Sequence, residues 1–277
     1  MHPLIPWFEP LRFDIPIDSP GSDGPLALHG FGALVLAGFI AGSFGAAMRA
    51  ERVGLDPDPI LRLVGWLALG TFLGGHIGYE LMYEPEVLLT DPLKLLRLWD
   101  GLSSFGGFIV CIPLTFYFFR RLALPMWKYV DVLSYGLTLG FFFGRMGCFS
   151  AHDHPGLETN FWLGVYGICP GQGKDVACHD MGLYEALWSL SMFFLFTLLQ
   201  RRARIPGFYP LLLGTVYAPV RFGMDFLRPL DTRYLGLTPA QILCVGVLGL
   251  CAYGWTRRIA SGDAPWPQPG TLRDDED

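Results

Sequence analysis

The stretch YVDVLSYGLTLGFFFGRMGCF, residues 129–149, decides the fold of this chain. It is apolar and long enough to cross a bilayer, because a membrane-spanning helix needs roughly 20 mainly apolar residues. Asp131 and Arg145 are the only residues in it that carry a full charge at neutral pH. An arginine inside such a segment costs free energy in lipid, so Arg145 indicates either a buried partner or a function.

Similar apolar runs recur along the rest of the sequence. They cover residues 27–48, 63–83, 105–119, 183–200, 207–227 and 239–256. The whole chain is 52% hydrophobic and 16% charged, whereas soluble domains carry roughly 25% charged residues. A soluble helical protein is excluded because these runs leave too little polar surface. We therefore predict an all-α integral membrane protein with seven transmembrane helices.

The positions of Lys and Arg predict the orientation of these helices. Most of them fall near the same ends of the runs, within residues 49–62, 120–128, 201–204 and 257–273. Cytoplasmic loops carry an excess of Lys and Arg, so the N-terminus should lie outside and the C-terminus inside. The predicted organisation is an extracytoplasmic N-terminal segment (1–26), a seven-helix membrane domain (27–256) and a disordered cytoplasmic tail (257–277). Residues 1–26 lack the basic start and apolar core of a signal peptide.

Two arginines lie inside the predicted helices, near their outer ends. A rise of 1.5 Å per residue puts Arg145 roughly 6 Å and Arg221 roughly 9 Å below those ends. Either side chain could reach up to the lipid headgroups, and Arg221 could pair with Asp225 one helical turn later. Alternatively, both could hold an anion, because the planar guanidinium binds phosphate with two hydrogen bonds and keeps its charge.

Further polar residues fall at the same predicted depth. They are His152, Asp153, His154, His179, Glu185, Tyr217 and Arg228. Each is weak as a single observation, since a loop histidine or a glutamate in a first helical turn is common. Together they predict a site that opens toward the outer leaflet and could hold a phospholipid headgroup. Nucleic acid is not expected as a partner.

The cysteines give no metal signature. No CxxC motif occurs, so neither a metal site nor a cofactor is predicted. Cys169 and Cys178 share the loop after the fourth run, where they could form a disulfide or remain free thiols. Two alternatives stay open. One is a membrane hydrolase with a metal on His152, Asp153, His154 and His179; the other is a lipid-binding or transport protein without catalysis.

Four blocks of sequence carry a family resemblance. They are HIGYELMYEPEVLLTDPLKLLRLWDGLSSFGG (76–107), GRMGCF (144–149), LYEALW (183–188) and VYAPVRFGMDFLRP (216–229). In this order they resemble the bacterial prolipoprotein diacylglyceryl transferases. The resemblance implies a multi-pass inner-membrane enzyme with its active site toward the outer leaflet. It implies transfer of diacylglyceryl from phosphatidylglycerol to the lipobox cysteine in the signal-peptide region of preprolipoproteins, the first step of lipoprotein maturation.

The resemblance also implies roles for individual residues. Arg145 matches the arginine that binds the lipid phosphate, and Arg221, one turn after Tyr217, matches a second essential arginine. Asp153 falls where many members carry Glu, and Cys148 where many carry Asn. The implied catalytic residues are Arg145, Arg221, Asp153, His152 and His154. The implied substrate-binding residues are Arg145, Tyr217, Glu185, Arg228, Gly106, Gly107 and Cys148.

The chain departs from the family pattern at two positions. Phe31 stands where the family usually has Tyr, and Phe105 stands where it has a His that could activate the thiol. Phenylalanine can take no proton. Either His152, Asp153 or His154 accepts the proton here, or the chain is a paralogue that binds phospholipid or lipoprotein without transfer.

Overall fold

A computed structural model of the chain describes residues 2–10, 12–18, 25–83, 104–228 and 236–267. Within these residues lie seven long α-helices, one at each apolar run. They are α1 (Gly30–Arg52), α2 (Asp58–Tyr83), α3 (Ser104–Arg121), α4 (Met126–Ala151), α5 (Met181–Leu199), α6 (Phe208–Met224) and α7 (Pro239–Ala260).

Most of these helices have the length and composition of membrane spans. Five of those described qualify, namely α1, α2, α4, α5 and α7. The two others, α3 and α6, are the shortest, with 18 and 17 residues. The chain is therefore a mostly helical, multi-pass membrane protein.

Two small sheets accompany the helices. One is an antiparallel pair of β1 (Arg12–Asp18) and β2 (Pro25–His29). The other has the order β3–β5–β4, formed by β3 (Pro155–Glu158), β4 (Val165–Tyr166) and β5 (Ala177–Asp180). The chain is mostly helical, in agreement with the predicted all-α membrane protein, and the small sheets are additions to it that were not predicted. Four of the five strands have no more than five residues, too few for an alternating pattern to stand out.

Glycines let two pairs of helices touch through their backbones. A Cβ added at Gly136 on α4 would lie 2.2 Å from the Gly42 carbonyl oxygen on α1. One added at Gly106 on α3 would lie 2.1 Å from the Gly74 carbonyl oxygen on α2. Close backbone approach through small residues is typical of helices that pack in membranes. The first contact brings the start of α1 beside the end of α4.

Asp131, the acidic residue of the opening stretch, ties α4 to α6. Its buried carboxylate accepts hydrogen bonds from the backbone N–H groups of Gly207, at 2.7 Å, and Tyr209, at 2.9 Å. These groups lie at the start of α6, where intrahelical acceptors are missing. These two bonds join α4 and α6 at the helix ends opposite Arg145 and Arg221.

The cysteines in the loop between α4 and α5 are paired. Cys169 and Cys178 form a disulfide with a Cα–Cα distance of 5.4 Å. Both are buried beside Val165 and Ile168 in a small apolar cluster of the three-stranded sheet. The disulfide alternative of the sequence analysis is therefore the one found.

We expect loss of this disulfide to destabilise the sheet. The bond joins residues nine apart, and closing a loop of that size stabilises a fold by roughly 2–3 kcal/mol, chiefly by restricting the unfolded chain. The double variant Cys169→Ser/Cys178→Ser should therefore unfold at a lower temperature in a detergent melt. Cys111→Ser, which removes an unpaired thiol, is the control, and equal midpoints for both variants would contradict the expectation.

The end of the chain is more ordered than predicted. Helix α7 continues to Ala260, and Trp266 exchanges two backbone hydrogen bonds with Arg204, at 3.0 and 2.7 Å. In addition, Arg258 donates to the Pro206 carbonyl at 2.8 Å. The prediction of disorder from residue 257 therefore differs from the structure up to Pro267, and residues 268–277 lie outside the described part.

Candidate active site

Arg145 and Arg221 meet at one carboxylate, that of Glu185 on α5. Arg145 Nε lies 2.9 Å from Glu185 Oε2, and Arg221 Nε lies 3.4 Å from Glu185 Oε1. The Glu185 side chain is 3% exposed, and those of the arginines are 13% and 14% exposed. The convergence predicted from sequence is found, and these three side chains alone leave one positive charge in excess.

The geometry of these ion pairs leaves part of Arg145 available to a ligand. Glu185 lies 2.9 Å from its Nε, and among the residues described no second carboxylate forms an ion pair with Arg145, whereas Arg221 pairs with two. A guanidinium can present two parallel N–H donors to phosphate oxygens. The ring of Phe141, one turn earlier on α4, lies 4.8 Å from the Arg145 guanidinium carbon and supports it from one side.

Arg221 is held more tightly, by a second carboxylate. Its Nη1 donates to Asp225, which is fully buried, so the i,i+4 pair that the sequence analysis left open as an alternative is present. The other oxygen of Asp225 accepts the hydroxyl of Thr238. Thr238 caps α7 in a reciprocal arrangement with Gln241. The start of α7 therefore positions Arg221.

Tyr217 also belongs to the site, where it contacts Glu185 and Trp188. Its hydroxyl donates to Glu185 Oε2 at 3.2 Å, and its ring packs against Trp188 with ring centroids 4.9 Å apart. Tyr217 was predicted as a site residue. Trp188 and Phe141 were missed, although Phe141 precedes Arg145 by four residues, the spacing that places two helical side chains on one face.

His152 has a structural role at the end of α4. Its backbone is left-handed, with φ 54° and ψ 34°, and this turn ends the helix. Its Nε2 is hydrogen-bonded to the Phe8 carbonyl at 3.0 Å, and its ring packs against those of Phe8 and Phe149. His152 anchors the N-terminal segment, so it is the weakest of the three predicted proton acceptors.

Asp153 and His154 turn back over Cys148. His154 Nδ1 is hydrogen-bonded to Asp153 Oδ1. The donor atoms of Asp153, His154 and Cys148 all lie within 4.8 Å of one another. Cys148 comes one turn after Arg145 on the same helix, and the two interact electrostatically. Two of the predicted proton acceptors are therefore found next to the arginine site.

Asp180 is a further acidic residue here, and sequence reasoning missed it. Its Oδ1 accepts the Leu183 N–H at 2.8 Å and so caps α5. Its Oδ2 is buried without a hydrogen-bond partner among the described residues. Burial, with a contribution from Asp153, raises the pKa of Asp180 to about 7. The position of an Asp just before an apolar run was the available signal.

His179 lies apart from this cluster. Its Nδ1 is hydrogen-bonded to the Tyr184 hydroxyl at 2.7 Å, and burial lowers its pKa. The set of close ligand atoms includes neither His179 nor His152. The structure therefore does not assemble the four-residue metal site of the hydrolase alternative.

The remaining predicted residues lie at the edge of the site or away from it. Arg228 Nη1 is 4.0 Å from Asp225 Oδ1. Gly106 and Gly107 face α2, where they permit close helix packing. Phe31 packs against Gly147, so it borders the end of α4. The side chain of Phe105 lies outside the described part of the structure.

Comparison with known proteins identifies the family of this chain. The sequence model of the prolipoprotein diacylglyceryl transferase family matches residues 22–257. A phosphatidylglycerol–prolipoprotein diacylglyceryl transferase of Chromohalobacter salexigens is 35% identical over 252 residues, which are 87% of this chain and 92% of that protein. Proteins of the same name from Nitratidesulfovibrio vulgaris and Thermus thermophilus are 30% and 29% identical, covering 88% and 87% of this chain and 94% and 98% of theirs.

The family match covers all seven long helices of the described structure except the last turn of α7. It includes both arginines, Glu185 and the Cys148–His154 turn. The predicted family is confirmed, and this chain belongs to the prolipoprotein diacylglyceryl transferases.

Proposed function

We propose that this chain transfers the diacylglyceryl group of phosphatidylglycerol to the lipobox cysteine thiol of preprolipoproteins. The relatives carry this activity in their names. The single observation that carries the proposal is the pair of arginines on Glu185, with Asp153 and His154 beside them. The arginine pair is suited to bind a lipid phosphate, and Asp153 and His154 are suited to accept a proton from a thiol.

The proposal includes a membrane arrangement. All seven helices span the inner membrane, with the N-terminus outside, the C-terminus in the cytoplasm and the site near the outer leaflet. Residues 2–10 support this, because Leu4 N–H donates to the Trp162 carbonyl at 3.0 Å and so joins the loop that follows α4. The opposite helix ends carry most of the arginines, as expected for the cytoplasmic side.

The arginine pair serves phosphate binding and departure. The Nη groups of Arg145 would bind two phosphate oxygens, while Arg221, fixed by Asp225, adds positive charge from the other side. Negative charge grows on the phosphate oxygen as its bond to the glyceryl carbon breaks. Preorganised donors in a poorly solvated site stabilise such charge strongly, because they need no reorganisation during the reaction.

The reaction is a substitution at carbon. The lipobox thiolate attacks the terminal glyceryl carbon of the diacylglycerol group, and a sulfur–carbon bond forms. The carbon–oxygen bond to phosphate breaks, and its electron pair leaves with glycerol phosphate. The products are a thioether-linked lipid and glycerol phosphate. Arg145 and Arg221 also align the lipid with the thiol, which lowers the entropic part of the barrier.

His154 is the residue that takes the thiol proton in this proposal. Its hydrogen bond to Asp153 fixes the ring and stabilises the imidazolium that forms. His152 is less suited to this role, because its Nε2 is hydrogen-bonded to the Phe8 carbonyl and its Nδ1 is buried, whereas the His154 side chain is 30% exposed. The pair His154 and Asp153 would therefore supply the base that Phe105 cannot.

Replacing His154 with glutamine should slow transfer by about 10²-fold, the lower range for loss of a general base. His179→Gln is the matched control, because His179 is also a histidine outside the helices but is hydrogen-bonded to the Tyr184 hydroxyl instead of a carboxylate. The measurement is the rate of diacylglyceryl addition to a lipobox peptide at saturating lipid. Equal rates for the two variants would remove His154 from the mechanism.

The function itself is tested by a transfer assay on the purified chain. Protein in detergent receives phosphatidylglycerol and a lipobox peptide, and mass spectrometry looks for the added diacylglyceryl mass. Its appearance on the cysteine supports the proposal. Retained phosphatidylglycerol binding without any mass gain would contradict it and identify a paralogue that binds lipid without transfer.

A further inference from the structure

We infer that Cys148, Asp153 and His154 form a binding site for Zn²⁺ beside the arginine pair. Their three donor atoms all lie within 4.8 Å of one another. Thiolate, carboxylate and imidazole are the donor types that zinc takes in proteins, and three protein ligands plus water is a common set. The metal alternative of the sequence analysis included Asp153 and His154 but not Cys148, whose approach to them depends on the fold.

The left-handed turn at His152 creates the site. By ending α4 there, it lets the chain reverse, and the Asp153 N–H approaches the Cys148 carbonyl at 3.5 Å. Tetrahedral zinc with bonds of about 2.0–2.3 Å places its donors roughly 3.5 Å apart, so the three side chains need to close by only about 1 Å. Cys148 is buried, while Asp153 is exposed and offers a path from solvent.

Asp180 gives an independent indication of a cation. Its side chain is 1% exposed, its Oδ2 has no hydrogen-bond partner among the residues described, and it interacts electrostatically with Asp153 and His154. A buried carboxylate oxygen without a partner is costly, and a metal ion beside it would offset that cost. Outer-shell carboxylates also orient the histidines that bind zinc.

The nearby charges permit a cation at this position. Arg145 opposes it, but Glu185 already pairs with Arg145 at 2.9 Å. The Asp153 carboxylate supplies negative charge at the site, and binding of the metal would displace the Cys148 proton and so form a thiolate. Zinc fits better than magnesium or calcium, because those ions prefer oxygen ligands and a thiolate is a soft donor.

Zinc in this site should inhibit transfer. It would occupy Asp153 and His154, which the proposed function uses to take the thiol proton, so this consequence rests on the proposed function. The binding of zinc does not depend on it. Metal binding and inhibition of transfer are therefore measured separately.

The metal site is tested with Co²⁺ as the probe. Full-length protein in detergent is freed of metal with a chelator and titrated with Co²⁺. A near-ultraviolet band from thiolate-to-cobalt charge transfer should appear, and Zn²⁺ should remove it. The band should be lost in Cys148→Ser and weakened in His154→Gln, and it should persist in Cys111→Ser, whose thiol lies elsewhere. Size-exclusion profiles verify that the variants fold.

Absence of the band from the wild type, or its persistence in Cys148→Ser, would overturn the metal site. The inhibitory role is measured as the transfer rate of each protein with Zn²⁺ relative to its own metal-free rate. Wild type should slow by about 10²-fold, the loss expected when a general base is blocked, and a chelator should restore it. Cys148→Ser should slow far less. Cobalt binding without any zinc inhibition would overturn the inhibitory role, whereas no transfer by metal-free wild type would contradict the proposed function instead.

Discussion

Replacing Arg145 with alanine is expected to lower the transfer rate by about 10³-fold or more, the usual effect of removing an arginine or donor that stabilises charge in a transition state. Among the residues described, Arg145 pairs with one carboxylate, that of Glu185, whereas Arg221 pairs with two. The phosphate would lose its two-point contact, and the growing negative charge would lose its main partner.

A lysine at the same position tests whether geometry or charge matters. Arg145→Lys keeps the positive charge but has no planar pair of donors, and a lysine cannot engage Glu185 and a phosphate in the same plane. We expect it to recover only a small part of the lost rate. The matched control is Arg120→Ala, which removes an exposed arginine near the end of α3.

The outcomes separate the possible roles of Arg145. A loss in Arg145→Ala with unchanged Arg120→Ala places the guanidinium in the reaction. Full recovery in Arg145→Lys would show that charge alone suffices and would contradict the two-point contact. A wild-type rate in Arg145→Ala would contradict the proposed site as a whole. The measurement is kcat/KM for phosphatidylglycerol, taken with a lipobox peptide in excess.

Much of the fold could be predicted because the length and apolar composition of a run directly indicate a helix that is buried in lipid. The run 129–149 became helix α4, Met126–Ala151, with ends that moved by only a few residues. The two sheets could not be predicted in the same way. Most of their strands are very short, and β3 and β5 pair across a loop closed by the Cys169–Cys178 disulfide.

The rise per residue of a helix converts a residue number into a height along its axis. The sequence alone therefore predicted that the two arginines lie at similar heights. Their partners required the rotation and packing of the helices. Glu185 joins Arg145 and Arg221 because α5 presents one side chain to both α4 and α6. The spacing of residues within one helix cannot predict a contact among side chains of three helices.

The roles within the His-Asp-His turn were also beyond the sequence. In the sequence, the three adjacent residues are equivalent candidates for the proton acceptor, and the structure gives them different roles. His152 adopts a left-handed conformation and bonds to the N-terminal segment, whereas Asp153 and His154 pair beside Cys148. A single residue with positive φ decided this, and that conformation is uncommon for any residue other than glycine, even though histidine is enriched in it.

Loss of the Glu185 carboxylate should strongly destabilise the protein. Glu185 compensates two largely buried guanidinium groups and accepts the Tyr217 hydroxyl. Removing one partner of a buried ion pair typically costs about 3–5 kcal/mol, because the remaining charge is left uncompensated. Glu185→Ala should therefore melt well below wild type in detergent. Glu51→Gln, at an exposed glutamate near the end of α1, is the control.

Glu185→Gln isolates the charge from the shape. Glutamine keeps an acceptor for Tyr217, but it leaves Arg145 and Arg221 as two like charges that repel each other. A lipid phosphate bound between them would supply the missing negative charge. Phosphatidylglycerol should therefore raise the melting temperature of Glu185→Gln more than that of wild type, and uncharged diacylglycerol should raise neither. Equal gains in the two proteins would contradict charge compensation by Glu185. No gain in either would mean that the phosphate does not bind at the arginine pair.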